Sequence, residues 1–295
     1  MSSLLVAPPS PIVVVGAGFL GQRVIRQLAR RRDPALELRA TTREGRWRDG
    51  EPPPGVTMRA LDVLKSDDAS VRAALAGARA IVICFAAGRQ QPRAGVYVDG
   101  TRRLLDACPE GLQRVVYTSS TSALPDHDGW VDDDCEDWPT SERGRVQRTG
   151  ETIVRERCEA RRIPWAVLRL GGLYGPGRGI GRIYRGRGSS VEQAPPRPGD
   201  GMQATNLIHV DDATRCALAA LRLAPARSGV INVCADAHPA RRDMYQQAAL
   251  LTGAAPPRWA EEPAPGRGVY GKRVRNERMK RWLEIELEHA EHSLE

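Results

Sequence analysis

The chain has 295 residues, of which 41% are hydrophobic and 27% charged, a composition typical of a soluble globular protein. No apolar run approaches the roughly 20 residues that cross a bilayer, and the first ten residues lack the pattern of a secretory signal. The net charge of +8 comes from arginines dispersed along the chain with few aromatic residues between them, so nucleic-acid binding is not expected. Six scattered cysteines without a C-x-x-C motif favour free thiols and a cytoplasmic location.

The first predicted element is a buried strand at residues 12–15 (IVVV), followed by a helix over residues 22–32. Between them lie Gly16, Gly18 and Gly21, with the spacing G-x-G-x-x-G. The first glycine permits a tight turn, the second the approach of a pyrophosphate, and the third the packing of helix on strand. The helix N-terminus adds unpaired N–H groups. We therefore predict a dinucleotide site here; the alternative is a glycine-rich turn that binds nothing.

The second predicted strand covers residues 35–42 and has no carboxylate at its end. An acidic residue there would bond the ribose hydroxyl of NAD. Instead, Thr42 is followed by Arg43, and Arg46 lies beyond, with Glu44 between them. Because two guanidinium groups can bind a 2′-phosphate, the sequence favours NADP over NAD. The alternative for these two arginines is an ordinary solvated loop.

Further buried strands are predicted at residues 56–61, 80–87 and 114–120, and helical segments separate them. An alternation of strands and helices predicts an α/β fold with a doubly wound parallel sheet and helices on both faces, as in Rossmann domains. Later strands are predicted at residues 163–170 and 229–234, and Asp211 and Asp212 are expected to cap a helix over residues 213–221.

Several short motifs occur in a fixed order along the chain. They are GAGFLG at 16–21, YVDGT at 97–101, VVYTSS at 115–120, LRLGGLYGPGR at 168–178 and NLIHVDDA at 206–213. With these motifs the chain resembles the extended short-chain dehydrogenase/reductases of the NAD-dependent epimerase/dehydratase family, from residue 12 to about residue 283. The resemblance implies a Rossmann domain, a smaller C-terminal substrate domain and an active site between them.

The resemblance also implies a division of the chain. We expect a flexible tail at 1–10, the dinucleotide-binding domain at 11–170 and mainly the substrate-binding part at 171–295, with 203–222 packing back on the first domain. Besides the three glycines, the residues expected to contact the cofactor are Phe19, Leu20, Thr42, Arg43, Arg46, Asp62, Val63, Ala86, Ala87, Ser119 and Gln147.

The sequence departs from the family at the residues that handle protons. Family members use a Ser or Thr together with a Tyr-x-x-x-Lys motif at the start of a helix. The strand-end motif assigns the hydroxyl to Ser120, with Thr121 adjacent. Where the helix should begin, Arg143 occupies the tyrosine position and Gln147 the lysine position, and no Tyr-x-x-x-Lys occurs elsewhere. The chain therefore resembles atypical members that keep the nucleotide site and lack the usual tyrosine.

Three functions follow from this departure. The first is an oxidoreductase that reduces a small carbonyl or imine with a non-standard proton donor, for which Tyr174, His127 and Tyr97 are candidates. The second is a non-catalytic NADP-binding sensor or partner-binding protein. The third is an epimerase or dehydratase, ranked last because returning the hydride usually needs the missing base.

The substrate is expected to contact Arg143, Arg178 and Tyr97. Arg182, Arg185 and Arg187 follow in a glycine-rich stretch, which is either an anion clamp or a basic surface loop. The acidic run at 126–137 is expected to be a solvated lid or helix cap, so no metal is predicted. The expected partners are a small molecule and, through the resemblance, a second copy of the chain.

Overall fold

A computed structural model of the chain describes residues 5–48, 50–88, 90–180, 195–266 and 268–291. Its strands are β1 (Ile12–Val15), β2 (Leu38–Thr42), β3 (Val56–Ala60), β4 (Ala80–Ile83), β5 (Arg114–Ser120), β6 (Gly129–Val131), β7 (Trp165–Leu170), β8 (Gly172–Tyr174), β9 (Leu207–His209), β10 (Gly229–Val233) and β11 (Lys272–Val274). Its α-helices are α1 (Gly21–Arg30), α2 (Asp68–Leu75), α3 (Thr101–Asp106), α4 (Glu142–Ala160), α5 (Val210–Ala220), α6 (Arg241–Thr252) and α7 (Glu277–Leu283).

Seven of these strands form one parallel sheet in the order β10-β7-β5-β4-β1-β2-β3. The chain runs outward from β1 to β3, returns to β4 beside β1, and then runs outward in the other direction. This change of direction between β1 and β4 is the switch point at which such sheets bind ligands. The predicted doubly wound α/β fold is therefore confirmed.

The central strand shows why the sheet is covered on both faces. Ile12 and Val14 belong to a hydrophobic cluster that contains residues of α1, α5 and α7. Val13 and Val15 belong to a second cluster that contains residues of α2, α3 and α4. Successive strand residues point to opposite faces, so a strand that is apolar throughout requires helices on both sides. Among the described residues, no helix combines the length and the apolar composition needed to cross a bilayer.

Residues on both sides of position 170 build the central sheet. β10 pairs with β7, and α5 packs against α1 on the same face of the sheet. The expected tail also makes contacts where it is described, since Leu5 pairs with Leu223 and the Val6 N–H donates to the Arg222 carbonyl at 2.6 Å. The functional division at residue 170 stays a prediction.

Several element boundaries differ from the sequence prediction, and two of the differences shape the cleft described below. β4 ends at Ile83, so residues 84–88 leave the sheet as a loop instead of extending the strand. The following helix begins earlier than residue 99, as a π-helical turn at Gly95–Gly100 that continues into α3.

The cap of α5 also differs from the expectation. His209 caps the helix, because its Nδ1 accepts the Asp211 N–H at 3.3 Å. The fully buried Asp212 carboxylate accepts instead the backbone N–H groups of Glu288 and His289, each at 3.0 Å. Asp212 therefore fastens the C-terminal segment to α5.

A buried ion pair joins α4 to the sheet. Arg169 on β7 and Glu151 on α4 are 1% and 4% exposed. The Arg169 Nε lies 3.1 Å from both carboxylate oxygens and its Nη2 lies 2.9 Å from Oε2. Glu151 Oε1 also accepts the Ser119 hydroxyl at 2.6 Å, and Arg169 Nη1 donates to the Asp133 carbonyl at 3.3 Å. These bonds connect α4 with β5, β7 and the acidic segment.

Removing one member of this pair should destabilise the protein strongly. In Glu151→Ala the Arg169 guanidinium would be buried without its counter-charge, which costs about 3–5 kcal/mol. We expect urea unfolding followed by circular dichroism to show a loss of that size. The control is Asp106→Ala, which breaks the exposed Arg157–Asp106 pair and should cost less than about 1 kcal/mol. Equal unfolding midpoints for the two variants would contradict the importance of the buried pair.

Candidate active site

A cleft of about 540 Å³ opens where β1, β2, β4, β5 and β7 end. Parallel strands present their carboxyl ends at one edge, so the loops after these strands converge there. Most residues expected to contact a cofactor lie on its lining, although their contact with a cofactor stays a prediction. They are Gly16, Gly18, Phe19, Leu20, Thr42, Arg43, Asp62, Val63, Ala86, Ala87, Ser119 and Gln147.

The three glycines of the first turn have different surroundings. Gly16 has φ +94°, and a Cβ there would lie 2.7 Å from the Phe85 backbone. A Cβ on Gly21 would lie 2.3 Å from the Gly16 carbonyl oxygen, so a side chain at either position would disturb the fold. A Cβ on Gly18 would meet no atom within 4 Å, although Gly18 lines the cleft. The open space at Gly18 can take a ligand that approaches the backbone, so the turn fits a dinucleotide diphosphate.

Arginine side chains connect this turn to the segment after β8. Arg23 donates to the carbonyls of Phe19 and Pro176, at 2.8 and 2.7 Å. The Phe19 ring lies 4.3 Å from the Arg23 guanidinium carbon and 5.4 Å from that of Arg178. Arg178, expected to contact the substrate, therefore lines the cleft beside the glycine turn.

Arg182, Arg185 and Arg187 lie outside the described residues, so the anion-clamp interpretation of that stretch stays a prediction.

The turn after β2 places Arg43 and Arg48 on the described lining, whereas the sequence predicted Arg43 and Arg46. Thr42 Oγ1 donates to the Arg46 carbonyl and accepts the Arg46 N–H, both at 3.0 Å, which closes the turn. Trp47 then enters the core, 8% exposed. Arg43 and Arg48 line the cleft, whereas Arg46 is not on its described lining. Arg48, beyond the buried Trp47, thus joins Arg43 on the described lining, and the expected contact of Arg43 and Arg46 with a cofactor stays a prediction.

Of the residues expected to take part in catalysis, Ser120 and the candidate donor Tyr97 are on the described lining of the cleft. The Ser120 Oγ accepts the Ser122 N–H at 3.2 Å. Thr121, His127 and Tyr174 are not on the described lining. Tyr174 is 3% exposed and packs edge-on against His209, with ring centroids 5.1 Å apart, and burial raises its pKa to about 12. The candidate donors Tyr174 and His127 are therefore not at the site, because β8 turns Tyr174 into the core and His127 lies in the exposed loop before β6.

The first two turns of α4 bring Arg143 and Gln147 to the cleft. The Ser141 side chain caps the helix by accepting the Gly144 N–H at 3.2 Å. Residues four apart share a helix face, and both Arg143 and Gln147 line the cleft. Gln147 is 3% exposed, and its Oε1 has no hydrogen-bond partner among the described residues. Arg143 thus brings a permanent cation to the cleft and Gln147 a neutral amide, and their match to the family's tyrosine and lysine positions stays a prediction.

The lining between β4 and α3 adds residues that the sequence did not predict, chiefly Arg93. Tyr97, which was expected at the substrate, also lines the cleft, and its hydroxyl accepts the Ala87 N–H at 3.1 Å. Cys84 contributes a neutral thiol, since burial raises its pKa to about 12. The sequence gives no specific signal that Arg48 and Arg93 line the cleft. Only a survey of every arginine near a predicted strand end would have included them.

Carboxylates of the acidic run at 126–137 make hydrogen bonds and ion pairs, most of them with the C-terminal segment. Asp126 pairs with Lys272 at 3.1 Å, and the Asp128 carboxylate accepts the Gly271 N–H at 2.7 Å. Asp133 accepts the Asn232 N–H at 2.6 Å, and Asp134 pairs with Arg278. These carboxylates thus have separate protein partners, although all but Asp133 are exposed, and the expected solvated lid or helix cap stays a prediction.

Away from the cleft, ligand atoms of His209, Asp211 and His289 lie within 4.8 Å of one another. Among the described residues these groups already have protein partners. His209 caps α5, and its ring stacks on that of His289 with centroids 3.7 Å apart.

The fold and cleft define a Rossmann-type α/β protein. Residues 12–234 match the model of the NAD-dependent epimerase/dehydratase family, and the chain belongs to that family. Protein YeeZ of Escherichia coli K12 is 34% identical over 221 residues, which cover 73% of this chain and 74% of YeeZ.

Two solved structures extend the comparison. One is a UDP-glucuronic acid 4-epimerase from Bacillus cereus in complex with NAD, with TM-score 0.74 and 20% identity over 96% of this chain and 94% of the other. This similarity is one of fold. The other is a functionally unknown conserved protein from Silicibacter pomeroyi DSS. It has TM-score 0.66 and 25% identity, and the match covers 95% of this chain and 94% of the other.

The glycine turn generates a paired prediction. Gly18→Ala should leave the melting temperature nearly unchanged, because the added methyl group meets no protein atom. It should weaken dinucleotide binding about tenfold or more, because the methyl group occupies the ligand's space. Gly21→Ala should instead lower the melting temperature by several degrees, because its Cβ would contact the Gly16 carbonyl oxygen.

Thermal unfolding and fluorescence titration with NADPH and NADH would measure both effects. A Gly18→Ala variant that binds dinucleotide like the wild type would contradict the assignment of the turn.

Proposed function

We propose that this protein binds NADP and transfers hydride between the nicotinamide and a small carbonyl or imine compound. The observation that carries the proposal is the arrangement of the cleft. Its lining has a glycine turn with open space at Gly18 and, after β5 and on α4, the polar residues Ser120, Arg143 and Gln147. Membership of a family named for NAD dependence supports a pyridine dinucleotide as the cofactor.

The preference for NADP rests on the end of β2. Arg43 and Arg48 would bind the 2′-phosphate, and the neighbouring Glu44 is absent from the described lining. The solved epimerase of similar fold is a complex with NAD, which makes NAD the competing cofactor.

The reaction would use the chain's own groups without a side-chain acid. When bound, the nicotinamide supplies or accepts the hydride. Ser120 would donate a hydrogen bond to a carbonyl oxygen, and Gln147 would hold hydroxyl or amide groups at the reacting end. Arg143 would stay protonated and attract negative charge at the reacting end. A reduced carbonyl then takes one proton from water to become an alcohol, whereas a protonated imine needs none to become an amine.

An epimerase or dehydratase is the second candidate. It is favoured by the family and by the nucleotide-sugar epimerase of similar fold. Such a reaction must remove a hydroxyl proton and return it, which usually requires a general base. Arg143 and Gln147 offer none, so this candidate ranks second on the cleft's chemistry.

Other expectations belong to the same proposal. We infer that the protein acts on a small molecule and binds no nucleic acid, and that it is cytoplasmic and forms a homodimer.

The cofactor preference can be tested with three single variants. Arg43→Gln and Arg48→Gln should each weaken NADPH binding about tenfold or more, since each removes a charge-assisted hydrogen bond. Both should leave NADH binding nearly unchanged. Arg46→Gln is the matched control, because this side chain is not on the described lining. Calorimetric titration measures all affinities, and tighter binding of NADH than NADPH by the wild type would overturn the preference.

The reaction can be tested by following nicotinamide absorbance during incubation with NADPH and a panel of carbonyls and imines. We expect oxidation of NADPH with some of these compounds. UDP-glucose with NAD should give no C4-epimer by NMR. Formation of the epimer would establish the second candidate, and tight cofactor binding with no turnover of any compound would favour a non-catalytic sensor.

A further inference from the structure

We propose that the substrate carries an anionic group, a carboxylate or phosphate, which Arg93 and Arg143 bind at the reacting end of the cleft. This inference rests on the proposed function, because it names the substrate class of the same site. It concerns two side chains that begin two neighbouring helical segments.

The topology brings these two arginines to the same edge of the sheet. Arg93 follows β4 and lies just before the π-helical turn at Gly95–Gly100, and Arg143 lies in the first turn of α4, which follows β5. β4 and β5 are adjacent parallel strands. The two helical segments also touch, since a Cβ on Gly150 of α4 would lie 2.7 Å from the Tyr97 carbonyl oxygen. Both arginines line the cleft.

Neither guanidinium has a carboxylate partner among the described residues. The Arg93 guanidinium lies 5.0 Å from the Tyr97 ring centroid, and its Nε is buried without a hydrogen-bond partner in that part of the chain. Arg143 likewise makes no ion pair with any described residue. A buried donor that lacks a partner carries a desolvation cost, which a ligand acceptor would relieve.

The charge of the described lining is one-sided. It contains Arg43, Arg48, Arg93, Arg143 and Arg178 and a single carboxylate, Asp62. Asp62 follows β3, and its Oδ1 already accepts the Leu64 N–H at 2.9 Å. One carboxylate against five guanidinium groups leaves the described lining positively charged.

The phosphates of the proposed cofactor have other binding groups. The diphosphate would lie at the glycine turn beside Arg178, and the 2′-phosphate at Arg43 and Arg48. Arg93 and Arg143 remain for a second anion. Guanidinium groups bind carboxylates and phosphates through paired hydrogen bonds, whereas a neutral substrate would leave the partly buried Arg93 without a counter-charge among the described residues.

The buried amide of Gln147 is an independent sign of a ligand at the same place. Gln147 follows Arg143 by one helical turn, and its side chain lines the cleft. Its Oε1 has no hydrogen-bond partner among the described residues. Gln147 would therefore bind a donor of the substrate or cofactor while the arginines hold the anionic group. Arg93 and Arg143 would in this way determine substrate specificity.

Binding of small anions tests the inference separately from turnover. Protein saturated with NADP⁺ would be titrated in a calorimeter with oxalate, with inorganic phosphate and with neutral oxamide. We expect at least one anion to bind and oxamide not to bind. Arg93→Gln and Arg143→Gln should each weaken anion binding about tenfold, the loss of one charged hydrogen-bonding group, with NADP⁺ affinity changed less than about twofold.

Arg155→Gln is the matched control, because Arg155 lies on α4, is exposed and is absent from the described lining. Stronger binding of oxalate would indicate a carboxylate substrate, and stronger binding of phosphate a phosphorylated one. Absence of anion binding, or equal losses in Arg143→Gln and Arg155→Gln, would overturn the inference.

Turnover with matched compounds separates the two proposals. The pairs are pyruvate with methyl pyruvate, and dihydroxyacetone phosphate with dihydroxyacetone. We expect the charged member of a pair to be reduced with the lower KM, and Arg143→Gln to abolish the difference. Reduction of the neutral members with equal or lower KM would overturn the inference and leave the proposed function standing. Anion binding at the two arginines without any turnover would overturn the proposed function and leave this inference standing.

Discussion

The structure depends on one ion pair that is enclosed by the sheet and α4. Arg169 and Glu151 are almost fully buried, and removing either charge from water is costly. The bidentate geometry and the added bonds to Ser119 and to the Asp133 carbonyl offset that cost. Because Glu151 lies one helical turn after Gln147, the pair also sets the position of the α4 face that lines the cleft. The scaffold and the site thus share one electrostatic support.

The cleft differs from a general acid–base site in the kind of charge it contains. Its described lining has five arginines, one carboxylate and the partly buried thiol of Cys84, whose pKa desolvation raises to about 12. Arginine keeps its proton, so these groups bind and polarise ligands but do not exchange protons at neutral pH. Such a site suits reactions in which position and charge limit the rate. A protonated imine, or a carbonyl that takes its proton from water, meets that condition.

Family membership and local chemistry lead to different expectations here. The family match covers residues 12–234, and the seven-stranded sheet with its glycine turn provides the dinucleotide scaffold. The resemblance predicts that Arg143 and Gln147 occupy the two positions that usually move protons. Function resides in the site and not in the fold. When the scaffold is kept and the reactive groups differ, the substrate class is therefore inferred from the groups that are present.

Much of the fold was predictable because its signals are local. The apolar run at residues 12–15, the spacing of the three glycines and the alternation of strands with helices were sufficient to predict the doubly wound sheet. The loop after β4 and the π-helical turn were not predictable in this way, because residues 84–87 are as apolar or small as strand residues. Their departure from the sheet depends on tertiary packing.

The candidate site was likewise predictable only in part from the sequence. The sequence determined which residues follow each strand, and therefore that Gly18, Arg43, Ser120, Arg143 and Gln147 would stand near one edge of the sheet. Only the tertiary structure decided that Arg48 and Arg93 line the cleft with Arg143, and that Arg46, Tyr174 and His127 are absent from its described lining. The reason is physical: backbone periodicity is set by neighbours along the chain, whereas the direction of a side chain in a loop is set by distant residues packed around it.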